Sequence, residues 1–270
     1  MDFTSDEVMV ACMSRQVQDG EVVVHGIATP LVAAAYMLAR KTHAPKIYFA
    51  SAIGQGICRN PVRLSITHVE SLWLDQALSN VGFVRSACDI LPSLKPKEFF
   101  RPAQIDQYGN FNNISFGRNY LTPKLRLPGT GGIPDVTTFL EDICLYVPRH
   151  SKVTFVPKLD FRSGLGHHPD RTHGKGPMYL VSNLGEFDFF KGHIRLTSIH
   201  PGVNINKIIK KTGFDLIVPS ELKETKPPTE EELILIREEI DPLGIRRLEN
   251  LSGSSRRKLL LDILEQEQIN

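Results

Sequence analysis

The stretch from Ala44 to Val69 contains no aspartate and no glutamate. Within it an apolar strand, Lys46 to Phe49, runs into a loop of small residues, Ala50 to Gly56. A strand end of this kind is where an α/β enzyme usually displays its reacting groups. If this loop belongs to an active site, the chain supplies no carboxylate there. Cysteines are few: Cys12, Cys58, Cys88 and Cys144, with no pair at metal-ligand or redox-motif spacing and no sign of a disulfide framework. No apolar run approaches the roughly 20 residues that cross a bilayer. The opening residues, MDFTSDEV, are acidic and lack the apolar stretch of a signal peptide. Net charge is only +2 over 270 residues, so neither nucleic acid nor an anionic membrane is implied as a partner. These absences together predict a reduced, cytoplasmic, soluble protein without a metal site.

What is present is ordinary for a globular chain: 41% hydrophobic and 23% charged residues, enough for one large domain or two small ones. Thr4 and Glu7 have capping-box spacing ahead of a helix running to Asp19 and stopped by Gly20. A β-branched strand, Glu21 to His25, precedes a helix over Leu31 to Arg40 with Thr29 and Pro30 at its start, and then the strand at Lys46. That strand–helix–strand order predicts a parallel crossover unit. Glu70 to Asn80 is expected to be helical, Phe99 to Ile105 a strand, and Asp106 to Asn110 a turn. Pro134 to Glu141 is expected to be a helix. Strands are expected at Ile143 to Val147, Val153 to Val156, Met178 to Ser182, Glu186 to Phe189 and Ile194 to Ile199. Residues 163 to 177, rich in glycine and histidine, predict a long exposed loop. Asn204 can cap a helix over Ile205 to Lys211, and Thr229 with Glu232 forms a second capping box before Leu233 to Ile240. A polar break, Gly253 to Ser255, precedes an amphipathic helix, Arg256 to Glu267. The expected organisation is one α/β domain over 1–250 and a helical extension over 251–270.

Each chemistry-bearing pattern has a plain alternative. The glycines Gly129, Gly131 and Gly132, before a helix, can hold an anion or an oxyanion on bare backbone N–H groups, or form a simple turn. His167, His168 and His173 suggest metal ligands, but without regular spacing they fit a solvated loop better. Cys58 and Ser51 are the nucleophile types near the small-residue loop; with no base placed beside them, buried small residues are the default. Asp106, Tyr108, Asn110 and Asn112 are turn formers. Lys207, Lys210 and Lys211, and likewise Arg256, Arg257 and Lys258, fit a solvated face or a phosphate contact.

Four segments nevertheless resemble one family in order: Gln104 to Ser115 (QIDQYGNFNNIS), Pro128 to Asp135 (PGTGGIPD), Tyr179 to Phe189 (YLVSNLGEFDF) and Arg195 to Pro242. They are similar to the β subunits of heteromeric family I CoA-transferases of the glutaconate type, and the resemblance spans about residues 5 to 247. It implies an α/β fold with an open, mostly parallel sheet and helices on both faces. The implied partner is a homologous α subunit, in an αβ or α2β2 heteromer. No cofactor is implied beyond the CoA carried by the substrate. In family transferases the loop is similar to E-A/S-G-x-x-G, where the glutamate attacks the acyl-CoA; aligned on Ala52-Ile53-Gly54, that position is Phe49. A phenyl ring can form neither an anhydride nor a glutamyl thioester.

A branch of the family without this glutamate resembles the chain more closely: the β subunits of the CoA-dependent ring hydrolases of steroid C/D-ring breakdown. The runs SGLG, VSNLGEFDF and D-x-Y-G-N-x-N carry that similarity. This resemblance implies a catalytic glutamate on the α subunit, activating water to open a cyclic β-diketone held as a CoA thioester. In this chain it points to Asp106 and Asn110 as groups that fix the active-site loop or bond the ring. Phe49, Gly54, Gly129, Gly131, Gly132, Ser163, Gly164, Gly166 and Asn183 are expected to line the CoA and substrate cleft, with Phe49 an apolar wall. A true CoA-transferase subunit and a non-catalytic CoA-binding scaffold are the alternatives.

Overall fold

The computed structural model describes residues 2–26, 28–51, 56–68, 75–141 and 143–269. Its packing divides the chain into two compact units, Met1–Glu98 with Pro227–Asn270, and Phe99–Lys226. Among the described residues no helix is long and apolar enough to cross a membrane.

The first unit is built on a sheet whose strands run in the order β5-β1-β2-β3-β4. These are β1 (Val22–His25), β2 (Tyr48–Ser51), β3 (Gly56–Cys58), β4 (Ala77–Asn80) and β5 (Lys97–Phe100). β1 pairs in parallel with β2 and β5, while β3 and β4 add on as antiparallel strands. Helix α1 (Ser5–Ser14) starts at the expected capping box, with Glu7 Oε2 accepting the Thr4 N–H at 2.8 Å. Helix α2 (Pro30–Thr42) links β1 to β2, and every residue from Leu31 to Ala39 is buried. A helix that is small and apolar all round must lie inside the fold, and Tyr36 ties it to β1 by donating to the Val24 carbonyl at 3.0 Å. The C-terminal residues close this unit. Arg246, 4% exposed, meets Asp6, Glu7 and Asp241 at 2.8 to 3.0 Å.

The second unit has strands in the order β14-β13-β12-β11-β10. They are β10 (Ile143–Val147), β11 (Tyr179–Ser182), β12 (Gly185–Phe190), β13 (His193–Ile199) and β14 (Lys223–Glu224). β10 and β11 are parallel, β11 through β13 form an antiparallel meander, and β14 returns parallel to β13. Two small ladders, β6 (Gln104–Ile105) with β7 (Phe111–Asn112) and β8 (Ser115–Phe116) with β9 (Leu125–Arg126), carry the connecting loops. Phe155, Phe187, Ile105, Phe111 and Leu180 are central members of its apolar core.

Several expectations fail on tertiary grounds. Ala77–Asn80, expected as the end of a helix, is β4, because pairing with β3 overrides local propensity; the start of that expected helix lies outside the described residues. Phe99 to Ile105 is not one strand but the end of β5 and the start of β6. Val153 to Val156 is a turn ending in a single parallel bridge to Ile105 rather than a full strand: Ser151 O accepts from Thr154 N and Phe155 N, Phe155 enters the core and Val153 is left exposed. α1 stops at Ser14 rather than Asp19. The C-terminal helix begins at Gly253, so the Gly-Ser-Ser run is its first turn and not a break before it. Its Glu267 accepts the N–H groups of Ile66 and Thr67 at 2.8 Å each.

Candidate active site

Register places a cleft on one face of the first unit. Residues paired on neighbouring strands point to the same side of a sheet. Glu98 pairs with Val24, Val24 with Ala50, Ala50 with Ile57, and Ile57 with Ser79, so these five form one row across β5-β1-β2-β3-β4. Val24, Ala50, Ile57 and Ser79 line a largely apolar cleft, completed by Ser51, Gly56, Val81 and the 86–91 helical segment. It lies at the carboxyl ends of β1 and β2, where open α/β sheets bind ligands. Gly56 is required there: a Cβ would sit 2.4 Å from Asn80 Oδ1 and 2.7 Å from the Ser79 carbonyl.

Phe49 stands on the other side. It is 0% exposed and pairs with Val23 and Cys58, so strand alternation turns it away from the row that faces the cleft. The apolar wall on β2 is therefore Ala50, and a side chain at position 49 offers no surface to a ligand on the cleft face. Gly54 lies outside the described residues. Cys58 is buried, and burial pushes its thiol up to about 11, which makes it a packing residue rather than a nucleophile.

Two titratable groups at this strand end do not stand out in the sequence. His25, at the end of β1 and opposite Ser51, bonds the Gly26 carbonyl through Nδ1 at 2.9 Å, and burial lowers it to about 4. It is a neutral imidazole with its proton on Nδ1. Glu98 is 8% exposed, and burial raises its carboxyl to about 8. Its neighbour Lys97 faces the opposite side, where Nζ meets Glu21 at 2.7 Å and the Gln16 carbonyl at 2.6 Å. The lysine is thus committed elsewhere, and Glu98 has no counter-ion among the described residues. The sequence signal is a charged pair, Lys97-Glu98, set in an otherwise aromatic strand; only register shows what the acid faces.

The expected turn residues come together in the second unit. Asp106 Oδ1 accepts the N–H groups of Tyr108 at 2.9 Å and Asn110 at 3.0 Å, and Oδ2 accepts Asn110 Nδ2 at 3.0 Å. Asn110 Oδ1 then accepts the Gly166 N–H at 2.9 Å. Gly164 and Phe111 exchange two backbone bonds, and Ser163 Oγ accepts the Asn113 N–H. Asp106, Asn110, Ser163, Gly164 and Gly166 therefore form one lock between two loops. The start of the 163–177 loop is buried, not exposed as its composition suggests. Burial raises the Asp106 carboxyl above its usual range against the pull of these donors.

Arg171 fastens the same loop. Nε donates to the Gly166 carbonyl at 2.9 Å, Nη1 to His173 O at 2.9 Å, and Nη2 to Thr137 O at 2.8 Å and to Leu165 O. A lysine cannot reproduce this fork. Arg171→Lys is expected to lower stability by about 2 kcal/mol, read as a reduced midpoint in urea. His167 turns inward and bonds Pro177 O at 2.8 Å.

The remaining candidates lie apart from this lock. Gly129 and Gly131 adopt φ of +106° and +52°, with open space around each, and Gly132 caps the short helix Ile133–Phe139. Asn183 accepts the His150 N–H at 2.8 Å instead. His150 is buried between Ser182 Oγ and Thr212 Oγ1, both at 3.0 Å, stacked on Phe155, and held down at about 3 by burial.

A family model described as Coenzyme A transferase matches residues 7–211. The chain is 30% identical to the β-type subunit of 3-oxoadipate CoA-transferase of Pseudomonas knackmussii over 260 residues, covering 87% of this chain and 92% of that one. It is 30% identical to the cholesterol ring-cleaving hydrolase IpdB subunit of Rhodococcus jostii over 247 residues, covering 88% and 92%. Among solved structures, the decarboxylase AibA/AibB superposes with a TM-score of 0.80 at 30% identity, covering 91% of this chain and 98% of that one. With the fold, the order of its motifs and these matches in agreement, the chain belongs to the coenzyme A transferase family.

Proposed function

We propose that this chain is the β-type subunit of a heteromeric acyl-CoA enzyme that cleaves a C–C bond with water in an alicyclic, steroid-derived diketo-CoA thioester. The observation that carries this reading is the cleft face itself. Ala50, Ser51, Gly56 and Ile57 present no carboxylate, and the sequence between them adds none. Transfer of CoA through an anhydride requires an ionised carboxylate as nucleophile. Burial raises Glu98, in the same row, to about 8, which disfavours the ionised form that such an attack needs. Two of the three relatives above are named for breaking C–C bonds, a ring-cleaving hydrolase and a decarboxylase. The base that activates water is then a carboxylate of the α subunit, and Asp106 and Asn110 act by holding the 106–113 and 163–167 loops in place. The glycines at 129, 131 and 132, in the second unit, are of the type that presents backbone N–H groups to an anion.

The chain alone is expected to turn over a cyclic diketo acyl-CoA at least about a thousandfold more slowly than the reconstituted heteromer, since its cleft supplies no ionised base. Equal turnover by the isolated chain defeats the proposal. The similarity to a 3-oxoadipate CoA-transferase favours a second reading, transfer of CoA between carboxylic acids. Loss of activity on borohydride treatment in the presence of acyl-CoA, with CoA appearing on an added acid, would establish it. A scaffold role predicts unchanged turnover when Asn110 or Gly131 is replaced by a bulkier residue.

A further inference from the structure

Among the described residues of the first unit, six acidic side chains are buried: Asp6, Glu7, Glu98, Asp241, Glu249 and Glu267. Five have donors that account for their burial. Asp6 and Glu7 meet Arg246, and Asp241 accepts from Arg246 and the Ile245 N–H. Glu249 accepts the Leu31 N–H, and Glu267 the Ile66 and Thr67 N–H groups. Glu98 differs from them. Among the described residues it has no hydrogen-bond donor and no cation, and it pairs with Val24, a lining residue of the cleft, so its side chain leaves the sheet on the same face. A buried carboxyl that serves only the fold is normally hydrogen-bonded, because leaving it unpaired is costly. A titratable group strongly perturbed by burial beside a cleft is a candidate for proton transfer.

We propose that Glu98 is the acid that delivers a proton to the carbon released when the C–C bond of the substrate breaks. This rests on the C–C-cleaving reading above. Water adds to the ring carbonyl carbon, and its proton passes to the base on the partner subunit. The C–C bond then breaks with its electron pair left on the carbon next to the remaining carbonyl. Glu98 transfers its carboxyl proton to that carbon and becomes a carboxylate, which regains a proton from the partner's base. One water is consumed, and one carboxylic acid and one C–H bond are formed. With its carboxyl raised to about 8, Glu98 holds the required proton at neutral pH. CoA transfer between acids releases no carbanion and would not use this group.

The test compares the wild-type heteromer with one carrying Glu98→Gln, on a cyclic diketo acyl-CoA between pH 5.5 and 9.5. Glutamine keeps the shape and cannot supply the proton. The variant is expected to lose roughly 10²- to 10³-fold in kcat with little change in KM, as for loss of a general acid. Wild-type kcat/KM should fall as pH rises through about 8, and that limb should be absent from the variant. Wild-type ring opening with an unchanged Glu98→Gln kcat overturns the inference and leaves the hydrolase reading standing. CoA transfer without ring opening overturns both. Independently of turnover, a ¹³C-carboxyl NMR titration of the heteromer, assigned by the variant, should find Glu98 protonated at pH 7. A Glu98 carboxyl already ionised at pH 6 overturns the inference whatever the substrate.

Discussion

Gly166→Ala is expected to destabilise the protein by more than about 3 kcal/mol. A Cβ at this position would lie 2.3 Å from the Asn110 nitrogen, 2.3 Å from the Gly109 carbonyl carbon and 2.3 Å from the Tyr108 oxygen. All three are backbone atoms of the turn that Asp106 holds, so no side chain can swing aside to make room. The methyl must push the two loops apart, which breaks the Gly166 N–H bond to Asn110 Oδ1 and the carbonyl contact to Arg171. Gly131→Ala is the contrast: its φ of +52° strains an alanine, but open space surrounds it, and about 1 kcal/mol is the expected cost. Thermal unfolding should show a fall of roughly 6–12 °C for Gly166→Ala and no more than about 4 °C for Gly131→Ala. Equal effects would mean that the loops are not locked as the structure places them.

Stability should pass through a maximum near pH 6.5 and fall on both sides. His25 and His150 have folded values of about 4 and about 3, below the ordinary 6.5, so the unfolded chain binds more protons and stability is lost as pH falls below 6.5. Burial shifts His200 in the same direction. Glu98 acts oppositely. Its folded value of about 8 lies above the ordinary 4.5, so the folded chain binds more protons in that window and stability is lost as pH rises through it. Each group contributes about 1.4 kcal/mol per pH unit where its two states differ fully. Between pH 6.5 and 4.5 the histidines outnumber Glu98 and the net effect is a loss on acidification; below 4.5 Glu98 no longer opposes them and the loss steepens. Between 6.5 and 8 Glu98 contributes a fall of about 2 kcal/mol. In Glu98→Gln that alkaline fall should vanish and the acid limb should steepen. Urea unfolding at half-unit pH intervals reads both limbs, and an alkaline limb that survives the substitution would assign it to another group.

Local signals in the sequence carry far, and long-range ones do not. Both capping boxes form as their spacing predicts, and β1, α2 and β2 follow from a β-branched run, a proline at N1 and a short apolar run. β4 reads as helix in the sequence because its strand character comes only from pairing with β3. At the candidate site the Asp106–Asn110 turn is legible, since such residues bond their own backbone. Its partner loop reads as exposed because glycine and histidine there signal mobility, whereas Gly166 is small so that two backbones can touch and Gly164 so that the Phe111 ring can lie against it. Arg171 and His150 act through carbonyls and hydroxyls distant in sequence, which no spacing rule announces. Alignment puts Phe49 in the cleft, and one step of strand alternation puts it on the other face. Glu98 is the same lesson reversed: it lies well away from the acid-free loop and enters the cleft row by its pairing with Val24.

In the proposed function this subunit completes an enzyme that adds water across a C–C bond. Incubating the heteromer with a cyclic diketo acyl-CoA in H₂¹⁸O, with free carboxylic acids present, and weighing the products by mass spectrometry separates water addition from CoA transfer. The expected product is ring-opened and heavier by one water, with one ¹⁸O in a new carboxyl group and CoA still attached. CoA appearing on the added acid, with the ring intact, would contradict that function.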